Sequence, residues 1–333
     1  MDNNNNSLLN FQDLRNFIYS FQKSRIVLTA YELDIFSVLD NAKKTSYDVA
    51  KNIDCDHRAT DRLMNALVAI GFINKSKDVF FNSEIALRFL SKNSPEYLAG
   101  LMHSVNLWKS WSNLTDCVKK GSRVQAKSEF EKDPDTMRAF IAAMHDRGTL
   151  HAENVISKLD LKNVKSIIDI GGGSGAYSFA FVKAKNDLIA TIFDLPDIIK
   201  ITNDYIINEG MQEKINLISG NYLIDEFGKG YDLAFLSAII HINSFEQNKS
   251  IVVKCFEALN PGGYIVIQDH IMSSDRTSPP EGAIFSLNML VGTECGDTYT
   301  ENEIKEWLTE AEFVETKIIP TKMNSIIVAQ KPK

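Results

Sequence analysis

The sequence predicts an α/β chain: a Rossmann-like, doubly wound sheet of seven strands in the C-terminal half, preceded by an α-helical winged-helix module. Three observations carry this. The short β-branched run Ser166–Ile170 leads into the glycine turn Gly171-Gly172-Gly173-Ser174-Gly175. Strand-like and helix-like stretches alternate from there to the C-terminus, the pattern of a largely parallel sheet covered on both faces. The first hundred residues read instead as helices followed by a hairpin. At 333 residues and 44% apolar, the chain can fill two cores.

The elements follow in order. Residues 1–10 form an Asn-rich polar start without the basic and apolar blocks of a signal peptide, and are expected to be disordered. Residues 26–39 carry an apolar stripe, 46–51 read as a short capped helix, and 59–70 as an amphipathic helix. Phe72-Ile73 and Val79-Phe80-Phe81 bracket a polar turn over residues 74–78. That is a winged-helix pattern, whose functional reading is DNA binding. Residues 1–100 hold 12 basic and 12 acidic side chains, however, so the electropositive footprint of a DNA reader is missing. An interaction platform is the favoured reading.

Residues 101–160 read as connecting helices rich in Trp108, Trp111, Phe130, Phe140 and Met144. Most of these should be core, with some facing a ligand cleft. Residues 161–333 then form the nucleotide-binding domain. Its strands are expected at 166–170, 189–193, 215–219, 231–236, 264–268, 313–319 and 325–330, the last two adjacent and therefore a reversed hairpin closing the sheet. Pro261-Gly262-Gly263 supplies the turn before the fifth strand. Thr300 with Glu303 makes a capping box that starts a helix over 301–310.

Composition excludes several classes. The longest apolar stretch, 233–240, is far too short to span a membrane. Cys55, Cys117, Cys255 and Cys295 lie dozens of residues apart with no C-x-x-C pair, which reads as reduced thiols of a cytoplasmic protein and not as metal ligands. A net charge of −7 argues against nucleic-acid partners and for a small, uncharged or apolar one. No metal site is expected.

Glycines where the backbone must turn tightly and approach a ligand imply a nucleoside cofactor. Gly171, Gly173 and Ala176 also satisfy the dinucleotide pattern G-x-G-x-x-G/A, so the glycines alone leave NAD open. Asp169 shifts the balance, because a carboxylate just before the glycines would repel a pyrophosphate but attract the ammonium of S-adenosylmethionine. Asp194, ending the second strand, can accept both ribose hydroxyls.

With these residues in place, the chain resembles the two-domain S-adenosylmethionine-dependent O-methyltransferases of the caffeic acid and hydroxyindole type. The resemblance runs from Gln22 to Pro332. It is carried by Asp169 to Gly175, Phe193-Asp194-Leu195-Pro196, His241 after an apolar strand, Pro261-Gly262-Gly263, Asn288-Met289-Leu290 and the winged helix. It implies a class I methyltransferase domain, an N-terminal module that makes a homodimer, and a small aromatic acceptor bound between domains. Asp169, Gly171, Gly173 and Gly175 would hold the methionine moiety, Asp194 and Leu195 the ribose and adenine, and Asn221 and Tyr222 the adenine amino side. Ser237 stands where the family often has Lys or Arg. Met144, Asn288 and Met289 match acceptor-side positions.

The same resemblance makes His241 the general base, in a His-Ile-Asn run where the family has His-Asp-Trp or His-Asn-Trp, and Asp269 the carboxylate that orients it. An imidazole titrating near neutrality suits the task of taking a hydroxyl proton. Of the other histidines, His57, His103 and His151 read as structural, while His145 and His270 adjoin cleft residues. Thr298 falls where the family places a second carboxylate. Either Asp269 suffices, or the acceptor is more acidic than an alcohol, which keeps a thiol or carbon acceptor open. A ligand-sensing winged-helix regulator is the rival from another class.

Overall fold

The computed structural model describes residues 10–124, 134–321 and 325–333. The expected disorder at the N-terminus, for residues 1–9, and Phe130 lie outside the described residues. Two compact units are present, Met1–Val105 and Asn106–Lys333.

In the first unit, α1 (Phe11–Glu32) starts at Asn10, whose side chain accepts from the N–H groups of Gln12 and Asp13. The apolar stripe expected over 26–39 is one stripe on two helices. Asp34 adopts φ 62°, a left-handed turn, and α2 (Ile35–Leu39) follows at a new angle. β1 (Lys44–Thr45) leads into α3 (Ser46–Asn52), held by a Thr45/Asp48 capping box. After α4 (His57–Ala69) comes the hairpin β2 (Ile73–Ser76) and β3 (Val79–Asn82), turned at Lys77 with φ 55°. The polar residues Asn74, Lys75 and Ser76 are therefore strand, not turn. They are exposed and paired to β3 through the backbone ladder, which hydropathy does not report. β1 adds to the other edge of β3, completing the wing. α5 (Glu84–Leu90) closes a core of Tyr31, Phe36, Leu39, Met64, Leu67, Ile73 and Phe80.

α6 (Leu101–Trp111) contains the boundary between the units, and α7 (Leu114–Lys120) and α8 (Pro134–Ile156) belong to the second. There the chain runs β4 (Ser166–Ile170), α9 (Ala176–Ala184), β5 (Ile189–Asp194), α10 (Pro196–Glu209), β6 (Ile215–Ser219), β7 (Tyr231–Ser237), α11 (Phe245–Ala258) and β8 (Leu259–Asp269). β9 (Ile271–Met272), α12 (Pro280–Gly292), β10 (Tyr299–Thr300), α13 (Glu301–Glu310), β11 (Val314–Pro320) and β12 (Ser325–Gln330) complete it. The sheet order is β11-β12-β8-β7-β4-β5-β6, with β8, β7, β4, β5 and β6 parallel and β12 and β11 antiparallel.

Alternate residues of each central strand enter opposite cores. Ile168, Ile170, Ala234 and Leu236 pack on one face, Ile167, Leu233 and Phe235 on the other. Pro261-Gly262-Gly263 lies inside β8 and not before it. The register against β7 jumps from Tyr231↔Leu259 to Leu233↔Tyr264 and Gly262 takes φ 80°, so the expected turn is an irregularity within the strand, after which the ladder resumes at Tyr264. β7 and β4 sit at the switch point of the strand order, which opens a crevice at their carboxyl ends.

Candidate active site

The glycine turn joins β4 to α9, and Gly171, Gly173 and Gly175 all have positive φ, at 67°, 57° and 85°. They do different jobs. A Cβ on Gly171 would collide with Ile239, and one on Gly175 would lie 2.9 Å from Ile192, so both glycines serve close packing. A Cβ on Gly173 would meet only Ile141, at 3.8 Å, so this is where the backbone faces open space. The hydroxyl of Thr202 donates to the Gly173 carbonyl at 2.6 Å and fixes the turn from α10.

Two buried carboxylates flank that turn. Asp194 accepts from the N–H of Gly173 at 2.9 Å and of Leu195 at 2.7 Å, one on each oxygen. Burial pushes its carboxyl up to about 6, against the pull of those two N–H groups. Asp169 accepts from the Ser178 hydroxyl at 2.7 Å. Burial pushes it up to about 7, with Ser178 pulling it down and the neighbouring Asp194 charge pushing it further up. An ammonium group and a pair of hydroxyls are what such a site lacks, and the residues present fit the methionine and ribose ends of S-adenosylmethionine.

Beyond β6, the Asn221 side chain caps its own turn by accepting from Leu223 N–H at 3.0 Å, and Asp225 accepts from Asn221 N–H at 2.8 Å. Lys254, from α11, is nearly buried and donates to the carbonyls of Tyr222 and Asp225 beneath this turn. The Tyr222 phenol, pushed up to about 12 by burial, donates to Asn243 at 3.3 Å. Leu195 is 43% exposed beside Asp194. Ser237, ending β7, donates to the Gln268 side chain. The position that often carries a cation in the family is therefore part of a neutral pair of hydroxyl and amide.

After Ser237 the backbone turns sharply at Ala238, φ 58°, into a 3₁₀ turn, Ile240–Ile242, that presents His241. Two asparagines brace the turn: Asn243 donates to the Ile239 carbonyl at 3.0 Å and Asn248 to the Ile240 carbonyl at 2.8 Å. His241 Nδ1 lies 2.8 and 2.9 Å from the two oxygens of Asp269, the last residue of β8. Burial opposes the Asp269 charge, yet the imidazole of His241 and the His270 N–H together hold its carboxyl below the usual range. Phe285 of α12 stands edge-on to the His241 ring at 4.8 Å.

Thr298 is buried, with its carbonyl accepting from Arg276 at 2.7 Å. Asp269 is thus the carboxylate held against His241. On α12, Asn288 accepts from the Trp111 indole at 2.9 Å, and Met289 is buried. Met144, partly buried, shares α8 with His145, whose Nδ1 lies 3.0 Å from the Ser174 hydroxyl. Sequence reasoning missed Phe285, which packs on the His241 ring, and Gln268, which accepts from Ser237; neither leaves a local signal, because both contacts are made by the fold. Among the described residues, no group of three or more His, Cys, Asp or Glu could hold a metal ion, and no helix is long and apolar enough to cross a membrane.

Comparison with known proteins agrees with this arrangement. An O-methyltransferase domain model matches residues 111–314, and an O-methyltransferase dimerisation domain model matches residues 16–92. The chain is 28% identical over 336 residues to acetylserotonin O-methyltransferase of Gallus gallus, covering 95% of this chain and 96% of the relative. It is 27% identical over 307 residues to 3-hydroxy-5-methyl-1-naphthoate 3-O-methyltransferase of Streptomyces sahachiroi, covering 89% and 88%. The fold matches that of human N-acetylserotonin methyltransferase, solved in complex with SAM, with a TM-score of 0.85 at 21% identity over the whole of both chains. The domain model spans more than half of the sequence, and the chain belongs to the S-adenosylmethionine-dependent O-methyltransferases.

Proposed function

We propose that this enzyme methylates a hydroxyl of a small aromatic acceptor, with His241 as general base and Asp269 as the group that orients it. The observation that carries the reading is the pairing of His241 Nδ1 with both oxygens of Asp269, at 2.8 and 2.9 Å. That pairing places the proton on Nδ1 and leaves Nε2 as the acceptor. Nε2 has no hydrogen-bond partner among the described residues. When bound, S-adenosylmethionine supplies a methyl group made electrophilic by its sulfonium charge. Nε2 takes the acceptor's hydroxyl proton as its oxygen attacks, and Asp269 stabilises the imidazolium that results. Phe285 limits the tilt of the ring. Holding the acceptor in line is worth roughly 7 to 11 kcal/mol, against about 10² to 10⁴-fold for the base.

Gly173, Asp169, Asp194, Leu195, Asn221, Tyr222 and Ser237 are the residues we assign to the cofactor, with Gly171 and Gly175 shaping the loop. Met144, Asn288 and Met289 are assigned to the acceptor side. The two relatives are O-methyltransferases of a hydroxynaphthoate and of acetylserotonin, which supports a small aromatic acceptor. One well-oriented carboxylate at His241 supports a hydroxyl over a thiol or carbon acceptor.

The assembly we propose is a cytoplasmic homodimer built by residues 1–100, joined through 101–160 to a catalytic domain at 161–333. The match to the dimerisation model supports it, as does α1, where Phe11, Phe17, Ile18 and Tyr19 are 76%, 68%, 56% and 50% exposed. The neutral charge balance of this module speaks against nucleic acid as its partner. The test is incubation with isotope-labelled cofactor and a panel of aromatic alcohols, thiols and carbon acids, with the products mapped by mass spectrometry and NMR. Label on oxygen is expected; label confined to sulfur or carbon would overturn the reading.

A further inference from the structure

A buried cation sits beside the turn assigned to adenine. Lys254, on α11, is only 8% exposed, and among the described residues it has no carboxylate in ion-pair range. Its Nζ donates to the carbonyl of Tyr222 and, at 3.0 Å, to that of Asp225, and lies 5.0 Å from the centre of the Phe227 ring. Taking a charge out of water is costly, and an apolar side chain would fill the same volume without that cost. What the ammonium adds is direction, because it draws two carbonyls of one turn towards a single point.

The turn uses nearly all of its own donors. Gly220 N–H donates to the Asp194 carbonyl at 2.9 Å, which ties the turn to the end of β5. Asn221 N–H donates to Asp225 Oδ2 at 2.8 Å and Leu223 N–H to Asn221 Oδ1 at 3.0 Å. The N–H groups of Ile224 and Asp225 both donate to the Asn221 carbonyl, at 2.9 and 2.8 Å. Over residues 220–225 only the Tyr222 N–H has no hydrogen-bond partner among the described residues. Its neighbour Asn221 keeps one lone pair open on Oδ1. An N–H that donates and an oxygen that accepts match the edge of adenine, whose N1 accepts and whose amino group donates. Hypoxanthine presents the reverse, an N1–H and a carbonyl.

We propose that Lys254 is a positioning residue for the cofactor's base: by fixing the carbonyls of Tyr222 and Asp225 it sets the peptide planes of the turn, so that the Tyr222 N–H and Asn221 Oδ1 together select adenine over a base with the reversed pattern. The proposal deepens the assignment of Asn221 and Tyr222 to the adenine side, and rests on it. Lys254 acts through the turn, from α11.

The experiment is calorimetric titration of the full chain with S-adenosylhomocysteine and with S-inosylhomocysteine, whose base is hypoxanthine. The unsubstituted protein is expected to bind the adenosyl compound about a hundredfold more tightly. Lys254→Met should weaken S-adenosylhomocysteine about tenfold or more and leave S-inosylhomocysteine nearly as it was, so that the preference narrows. Lys254→Gln, a milder change that keeps an N–H donor but no charge, should fall between the two.

If Lys254 served packing alone, Lys254→Met would change both affinities by one factor or change neither, and either result would overturn the proposal. Where Lys254→Met does not fold, an undiminished preference in Lys254→Gln would overturn it. Equal affinities in the unsubstituted protein would remove the assignment of Asn221 and Tyr222 to adenine, and the proposal with it. A strong preference that persists in Lys254→Met would leave that assignment standing and remove the part given to Lys254.

Discussion

With Asp169 and Asp194 assigned to the cofactor as proposed above, cofactor binding is expected to depend on pH. Burial pushes Asp169 up to about 7 and Asp194 up to about 6. Both carboxyls therefore hold protons in a range where an exposed aspartate has none. Without ligand, the folded state binds more protons than the unfolded one between the ordinary carboxylate range and pH 7, so stability falls as pH rises through that window. On the proposed assignment, the cofactor's ammonium would reverse the preference at Asp169, since it attracts only the ionised form. Ribose hydroxyls likewise donate best to an ionised Asp194. Binding then competes with protons, and affinity should rise with pH. Each unit below a competing group's pKa costs about tenfold, or about 1.4 kcal/mol. From pH 8 to pH 5, Asp169 should account for roughly a hundredfold loss and Asp194 for roughly tenfold more.

Calorimetry with S-adenosylhomocysteine from pH 5 to 8, in two buffers of different ionisation enthalpy, reads both the affinity and the protons released. Asp169→Asn should bind more weakly at pH 8 and show a flatter profile. Affinity that is level across this range, or that improves on acidification, would refute the assignment of Asp169 to the ammonium.

Two further substitutions test the site and the assembly. Gly173→Val forces a β-branched residue to φ 57° and points a side chain into the open space of the turn, so S-adenosylhomocysteine binding should be lost in a calorimetric titration while the fold persists by circular dichroism. Phe17→Glu combined with Ile18→Glu places charge on the exposed apolar face of α1, and light scattering should report the mass of one chain where the unsubstituted protein gives two.

The catalytic fold was legible because its signals are local. β-branched runs mark buried parallel strands, and Thr300 with Glu303 is a capping box that needs no tertiary information. What sequence pattern could not see was set by pairing and packing. Asn74 to Ser76 are polar yet form strand because β3 supplies their backbone partners. Pro261-Gly262-Gly263 reads as a turn, but it is an irregularity inside β8, with ladder pairing to β7 on both sides of it. At the site, Asp194 and the glycines were visible as a motif, whereas the division of labour among the glycines depends on Ile239 and Ile192, far away in sequence. His270 stands out in sequence as the neighbour of Asp269, but its contact with Arg147, 123 residues away, is made only by the fold.

The central claim is that His241, oriented by Asp269, takes the acceptor's proton. Single-turnover methyl transfer by His241→Ala on an established acceptor, with cofactor affinity measured in parallel, tests it most directly. The account predicts a rate lower by about 10² to 10⁴-fold with S-adenosylhomocysteine affinity unchanged, and a smaller loss for Asp269→Asn, where the imidazole remains but its tautomer is no longer fixed. A His241→Ala enzyme that transfers the methyl group at the unsubstituted rate would contradict it.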